Sequence, residues 1–344
     1  MTTRVGVVGS GTIGKRIADA VAKQDDMQLI GLAVRSPSSA VIPLLWHGHR
    51  LFGLSDSSAT LLAKAGIDTG GTLDDLMGRC DVIIDCSPGK TATGRLPEYR
   101  ARNILAICQG GEHHEPFGFT FNSLVNFKNA AGRTTARVGS CNTTGLSRLL
   151  RTLDGSFGVA SVKAVLLRCA TDPNKAHKGI VNGAVISLGM SHHAEDLKRM
   201  FPHVTIETQA VAVPMTHGHV ANLFIRLGDA ATGDAVEGIL RSTPRIEVDT
   251  TGPTVATNIV TAAAGTAGRA RSDRPELVVW RDGIIADGRN LMLQAFIHME
   301  AIVVPENIDC IRALGGRTFC SGSLRKTDES LGIPRDGKAY SAFD

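Results

Sequence analysis

Residues 5–22 read VGVVGSGTIGKRIADAVA, and no other stretch restricts the fold of this 344-residue chain as much. Val5, Val7 and Val8 form a short apolar run of the kind that makes a buried strand. Gly9, Gly11 and Gly14 follow with GxGxxG spacing, and Ile17, Ala18 and Val21 then recur at helical intervals. Strand, glycine turn and helix together open a βαβ unit. The glycines permit a tight turn and close approach of backbone N–H groups to a pyrophosphate, whose charge the helix start favours. The competing reading is a glycine turn that binds nothing.

A second strand spans Gln28 to Val34, where a dinucleotide fold commonly ends in an acid that grips the ribose 2′-hydroxyl. Here Arg35 and Ser36 follow instead, an arrangement that accepts a 2′-phosphate and predicts use of NADP. Arg35 as mere decoration of a solvated loop stays open. Further strands read at Val82 to Cys86 and Ile104 to Cys108, each ending at a turn. This alternation predicts an α/β, doubly wound parallel sheet of Rossmann type over residues 1–139. Beyond residue 150 strand patterns dominate, at Val162 to Cys169, Thr205 to Val213, Val220 to Leu227, Pro244 to Val248 and Leu277 to Arg281. They predict a second, α+β domain with a mixed or antiparallel sheet. Val304 to Arg312 carries helix-start chemistry, and the tail from Gly315 onward reads as peripheral.

With 43% apolar and 20% charged residues the chain has material for two buried cores. A net charge of +4 with scattered basic residues gives no electrostatic reason to expect a nucleic-acid partner. The start MTTRVGVVGSG lacks a signal-like apolar region, and no apolar run approaches the roughly 18 residues that span a bilayer. A cytoplasmic protein without membrane partners is expected. The seven cysteines, at 80, 86, 108, 141, 169, 310 and 320, have no CxxC or zinc-like spacing, so neither a disulfide framework nor a metal site is expected and most read as core thiols.

One cysteine has a different setting. In SCNTTGLSRLL, residues 140–150, Ser140 is suited to cap a helix whose apolar positions are Leu146, Leu149, Leu150 and Leu153. Cys141 then sits in the first turn, where the helix dipole favours thiolate and is expected to lower the thiol pKa. Backbone N–H groups and the Asn142 amide are placed to stabilise an oxyanion, and Thr143 and Thr144 add hydroxyls suited to phosphate. An inert core thiol is the alternative, which the polar surroundings disfavour. A thiol combined with a nicotinamide cofactor implies attack on an aldehyde, loss of hydride and a thioester product.

The segments GSGTIGKRIADAVAKQDDMQLIG, DVIIDCSPGK, QGGEHHEPFGFTFNS, SCNTTGLSRLL, TDPNKAHKGIVN, SHH at 191–193, VVWRDGI and VPENIDCIRA occur in the order found in one family. The chain resembles the archaeal-type, or type II, phosphorylating glyceraldehyde-3-phosphate dehydrogenases from residue 4 to about residue 314. The resemblance implies oxidation of glyceraldehyde 3-phosphate with inorganic phosphate, with NAD or NADP as cofactor, and a homotetramer. It implies a nucleotide-binding domain of residues 1–139 plus 305–344 and a catalytic domain of residues 140–304. It makes Cys141 the nucleophile, sets Thr12, Ile13, Gly110 and Gly111 against the cofactor, and gives Ser140, Asn142, Thr143, His192 and His193 to substrate or phosphate. Arg168 is implied as a phosphate or cofactor partner. For the general base, alignment through the following strand favours His219, whereas the HxH pattern itself would select His217.

Two positions depart from the family pattern. Cys169 follows Arg168 where relatives carry a second arginine, and Met299 stands where they usually have glutamine. These changes leave open another acyl-phosphate reductase or semialdehyde dehydrogenase of the same architecture. A non-catalytic nucleotide- or RNA-binding relative is the reading from another class.

Overall fold

The structure is a computed structural model that describes residues 2–89, 91–109, 111–169, 183–215, 217–252, 254–316 and 318–344. Gly110 and the TDPNKAHKGIVN segment lie outside the described residues. The chain forms two compact units, Met1–Gly139 with Val304–Gly332, and Ser140–Val303 with Ile333–Asp344.

In the first unit, β1 (Thr3–Val8), β2 (Met27–Val34), β3 (Leu51–Gly53), β4 (Thr69–Thr72), β5 (Val82–Asp85), β6 (Leu105–Cys108), β7 (Thr120–Phe121) and β8 (Thr135–Val138) make one sheet. Its order is β4-β3-β2-β1-β5-β6-β8-β7, with every pairing parallel. The order reverses between β1 and β5, so the crevice beyond their carboxyl ends is the switch point where such sheets bind ligands. Strands buried on both faces explain the near-continuous apolar runs in β1 and β5.

The glycine motif occupies that crevice for steric reasons. Gly9 has φ +101°, and a Cβ at Gly14 would come within 2.1 Å of the Gly9 carbonyl oxygen. Only glycine at both positions lets the Thr12–Ala22 helix start so close to the strand end.

The second unit contains β9 (Val159–Cys169), β10 (Val185–Ser187), β11 (Thr205–Val213), β12 (His219–Leu227), β13 (Ile246–Asp249), β14 (Leu277–Trp280), β15 (Ile285–Asp287) and β16 (Asn290–Ile297). The order is β10-β11-β9-β12-β16-β14-β13, with β15 on β16. Pairs β9–β11 and β13–β14 are parallel and the others antiparallel, as a mixed sheet requires. Burial alternates along β12 and β16, and the helix Cys141–Phe157 packs against β9, β12 and β16. The expected fold class, a parallel doubly wound sheet and a mixed second sheet, is the one observed.

The tail is not peripheral. The helix Cys320–Leu331 belongs to the first unit, with Cys320 and Leu324 fully buried. Ser323 Oγ and Thr327 Oγ1 donate to Asp309 Oδ1 at 2.7 and 2.6 Å, so hydroxyls rather than a long apolar stripe anchor it. Residues 333–344, expected with the nucleotide-binding domain, belong to the second unit. There Ala339 N–H donates to the Ser242 carbonyl and Lys338 Nζ to that of Ile246. These are main-chain acceptors that leave no side-chain pattern to read.

Candidate active site

The site in the second unit starts from a helix cap. Ser140 has extended backbone, φ −62° and ψ 165°, and its Oγ accepts the Thr143 N–H at 3.3 Å. Cys141 is therefore the first helical residue, and Leu146, Leu149, Leu150 and Leu153 bury the middle of the helix in the core.

β12 brings His219 to the sulfur. The His219 Nε2 to Cys141 Sγ distance is 3.2 Å, and the Cys169 N–H donates to His219 Nδ1 at 3.1 Å. Because Nδ1 is an acceptor, the hydrogen-bond network assigns the neutral ring its hydrogen on Nε2, which donates to the sulfur. His217 precedes the strand and is exposed, so of the HxH pair His219 is the one that reaches the cysteine.

Burial pushes the Cys141 thiol up to about 11, opposed first by the Arg168 charge and then by the Asn142 N–H, while Glu300 pushes it further up. The expected lowering at the helix start is thus outweighed by desolvation. Burial also lowers His219 to about 3, with Arg168 acting in the same direction. The resting pair is a neutral thiol and a neutral imidazole. Arg168 pairs with His219 across β9 and β12. Its Nε is buried with no hydrogen-bond partner among the described residues. Arg168 lies in the second unit with the cysteine, whereas the glycine motif lies in the first.

A second line of hydrogen bonds runs behind Asn142, which is fully buried. Its Nδ2 is 3.3 Å from His193 Nε2, His193 Nδ1 is 3.0 Å from Ser191 Oγ, and Ser191 Oγ is 2.6 Å from Thr208 Oγ1. An amide nitrogen can only donate, so His193 accepts at Nε2 and carries its hydrogen on Nδ1. Burial lowers His193 to about 2, helped by His192, Arg168 and His219. Asn142 Oδ1 is left without a hydrogen-bond partner among the described residues.

The residues expected at substrate thus divide. His192 is exposed and stacks on His193 at 4.0 Å, whereas His193 is buried as a support for Asn142. Thr143 is also fully buried, its hydroxyl 2.9 Å from Ser140 Oγ and donating to Asp196 Oδ2 at 3.3 Å, so it serves the helix start. The two departures from the family pattern meet: the Cys169 thiol donates to Met299 Sδ at 3.4 Å. Their separation of 130 residues concealed this contact from sequence reasoning. Also missed was the Cys169 backbone amide, a group that no side-chain motif encodes.

In the first unit the cradle fits a dinucleotide. Gly11 is exposed with open space where a Cβ would be, at the N-terminal end of the Thr12–Ala22 helix. Thr12 and Ile13 are half-buried beside it, and Gly111 is exposed with φ +91° after β6. Arg35 is exposed and Ser36 half-buried immediately beyond β2, whose Ala33 carbonyl accepts the Gly9 N–H at 2.9 Å.

Residues 140–282 match the family described as glyceraldehyde 3-phosphate dehydrogenase, C-terminal domain. The chain is 39% identical to the glyceraldehyde-3-phosphate dehydrogenase of Archaeoglobus fulgidus, over 99% of this chain and 100% of that one. It is 39% identical to the Aeropyrum pernix enzyme of the same name over 96% and 97%, and 37% identical to that of Methanosarcina mazei over 96% and 99%. Among solved structures, aspartate semialdehyde dehydrogenase II of Vibrio cholerae in complex with ASA has the same fold, with a TM-score of 0.68 at 13% identity over 93% of this chain and 100% of that one. At full length and this level of identity, the chain belongs to the archaeal-type glyceraldehyde-3-phosphate dehydrogenase family.

Proposed function

We propose that the chain oxidises glyceraldehyde 3-phosphate with inorganic phosphate to 1,3-bisphosphoglycerate, and catalyses the reverse, through a thioester on Cys141. The observation that carries this reading is the Cys141 Sγ to His219 Nε2 contact of 3.2 Å under the field of Arg168.

The Cys141 thiol gives up its proton to solvent, the resulting thiolate adds to the aldehyde carbon, and the carbonyl π electrons move to oxygen. His219 Nε2–H, already directed at the sulfur, donates to that oxyanion, and the Arg168 charge stabilises both anions. As the alkoxide re-forms its double bond, hydride departs and a thioester remains. A bound nicotinamide cofactor supplies the hydride acceptor. A phosphate oxygen then attacks the thioester carbon, the C–S bond breaks with its electron pair going to sulfur, and the proton lost from the phosphate restores the resting thiol. Asn142, held by His193, supports the geometry at the helix start.

Gly9, Gly11, Thr12, Ile13, Gly14, Gly110 and Gly111 would hold the dinucleotide. Arg35 and Ser36, with no acid beside them, support use of NADP as well as NAD. Among the described residues no helix is long and apolar enough to cross a membrane. The family supports a cytoplasmic homotetramer. The test is a steady-state assay of glyceraldehyde 3-phosphate oxidation with and without phosphate, using each cofactor. Turnover that requires phosphate supports the reading; turnover indifferent to phosphate contradicts it.

A further inference from the structure

Far along the chain from the cysteine, three side chains of the first unit converge for which the proposed reaction has no use. Asp19 stands on the Thr12–Ala22 helix, and His47 and His49 follow the short helix Ile42–Trp46. Gly48 between the histidines has φ +72°, and His49 N–H returns to the Leu44 carbonyl at 2.9 Å. This reversal turns both imidazoles toward one carboxylate. Asp19 Oδ1 lies 2.7 Å from His47 Nδ1 and 2.7 Å from His49 Nε2. One potential ligand atom from each residue falls within 4.8 Å of the others, and the rings stand nearly perpendicular at 87°.

We propose that Asp19, His47 and His49 form a binding site for a divalent transition-metal ion of the zinc class. Two imidazole nitrogens and one carboxylate oxygen suit zinc, copper or nickel and not magnesium or calcium, which select oxygen ligands. Bonds of about 2.0–2.2 Å to such an ion place tetrahedral ligands roughly 3.3 Å apart, so the two carboxylate–imidazole pairs must each open by about 0.6 Å. His47, with 48% of its side chain exposed, has room to make that movement and gives the ion a route from solvent. Binding through His47 Nδ1 and His49 Nε2 requires each ring to carry its hydrogen on the other nitrogen, Nε2 of His47 and Nδ1 of His49. A fourth position stays open to water or an external ligand. The cysteine spacings that argue against a metal site are irrelevant here, since no thiolate takes part. The ion would clip the helix that follows the glycine motif to the segment leading into β3. That segment begins just past Arg35, which ties the site to the nucleotide-binding half.

The test uses the full chain carrying Cys141→Ser, which removes the most reactive thiol, freed of metal by a chelator and titrated with Zn²⁺ by calorimetry. The expected result is one Zn²⁺ per chain. His47→Ala and Asp19→Asn should each weaken it by at least the roughly 10–100-fold that loss of an orienting partner alone costs. His47 is sufficiently exposed that its replacement should leave thermal unfolding of the metal-free chain unchanged, which separates lost binding from lost folding. Absence of Zn²⁺ binding, or identical titrations for the parent and His47→Ala, would overturn the proposal. Co²⁺ gives an independent check: visible bands of a nitrogen- and oxygen-ligated ion support it, and a thiolate charge-transfer band contradicts it.

Discussion

The Cys169 N–H and His219 Nδ1, 3.1 Å apart, determine which nitrogen of the histidine carries the proton that faces Cys141. A main-chain donor cannot be reversed, so His219 offers a hydrogen at Nε2 where a general base would need a lone pair. The role we propose for His219 is therefore that of an oxyanion donor, in place of the base expected from the sequence.

His219→Ala should lower kcat by about 10²–10³, the usual cost of one oxyanion donor. His219→Gln, whose amide can donate from a similar place, should recover part of the loss. Equal loss in both variants, with a histidine-like inflection in the wild-type pH profile, would restore the role of base.

The reactivity of Cys141 should follow its own titration. With the thiol raised to about 11 and His219 lowered to about 3, neither changes charge between pH 5 and 8, so alkylation of the free enzyme should rise about tenfold per pH unit through neutrality. Arg168→Met removes the largest charge opposing that rise and should slow alkylation at pH 7. A rate plateau near pH 6–7 would indicate a preformed thiolate and imidazolium pair instead.

Stability should fall in acid. His193 and His219 are lowered to about 2 and about 3 from 6.5, so below pH 6.5 the unfolded chain binds protons that the folded chain refuses. Their contribution to stability is therefore complete above pH 6.5 and lost as pH falls toward 3, at up to about 1.4 kcal/mol per pH unit for each histidine. Denaturant melts across this range should show a shallower slope for His193→Gln than for the wild type. An unchanged slope would mean that His193 titrates normally in the folded protein.

If Arg35 receives a 2′-phosphate, Arg35→Ala should weaken NADP and spare NAD. A lost charge-assisted contact costs about 1.5–3 kcal/mol, roughly ten- to a hundredfold in Kd. Equal losses measured for both cofactors would limit Arg35 to shaping the loop.

Much of this was legible because local chemistry and fold agree. The GxGxxG turn needs glycine at 9 and 14 for steric reasons that the spacing displays, and Ser140 caps the helix that its neighbours predict. What stayed hidden depends on contacts distant in sequence or on the main chain. β16 is framed by the Asp287-Gly288 turn, but the exposed Met292 and the all-buried Ala295–Ile297 end blur its alternation in NLMLQAFI, and the Cys320–Leu331 helix is held by hydroxyls on a buried aspartate. The pKa of Cys141 followed burial rather than the helix dipole, and burial is a property of the assembled unit.

The central claim is the thioester, and intact-mass measurement tests it most directly. The full chain mixed with glyceraldehyde 3-phosphate and oxidised cofactor, without phosphate, then quenched in acid, should gain the mass of one phosphoglyceroyl group. The adduct should map to Cys141, disappear when phosphate is added before the quench, and be absent from Cys141→Ser. An unmodified wild-type chain that nonetheless turns over, or an adduct that persists in Cys141→Ser, would contradict the account.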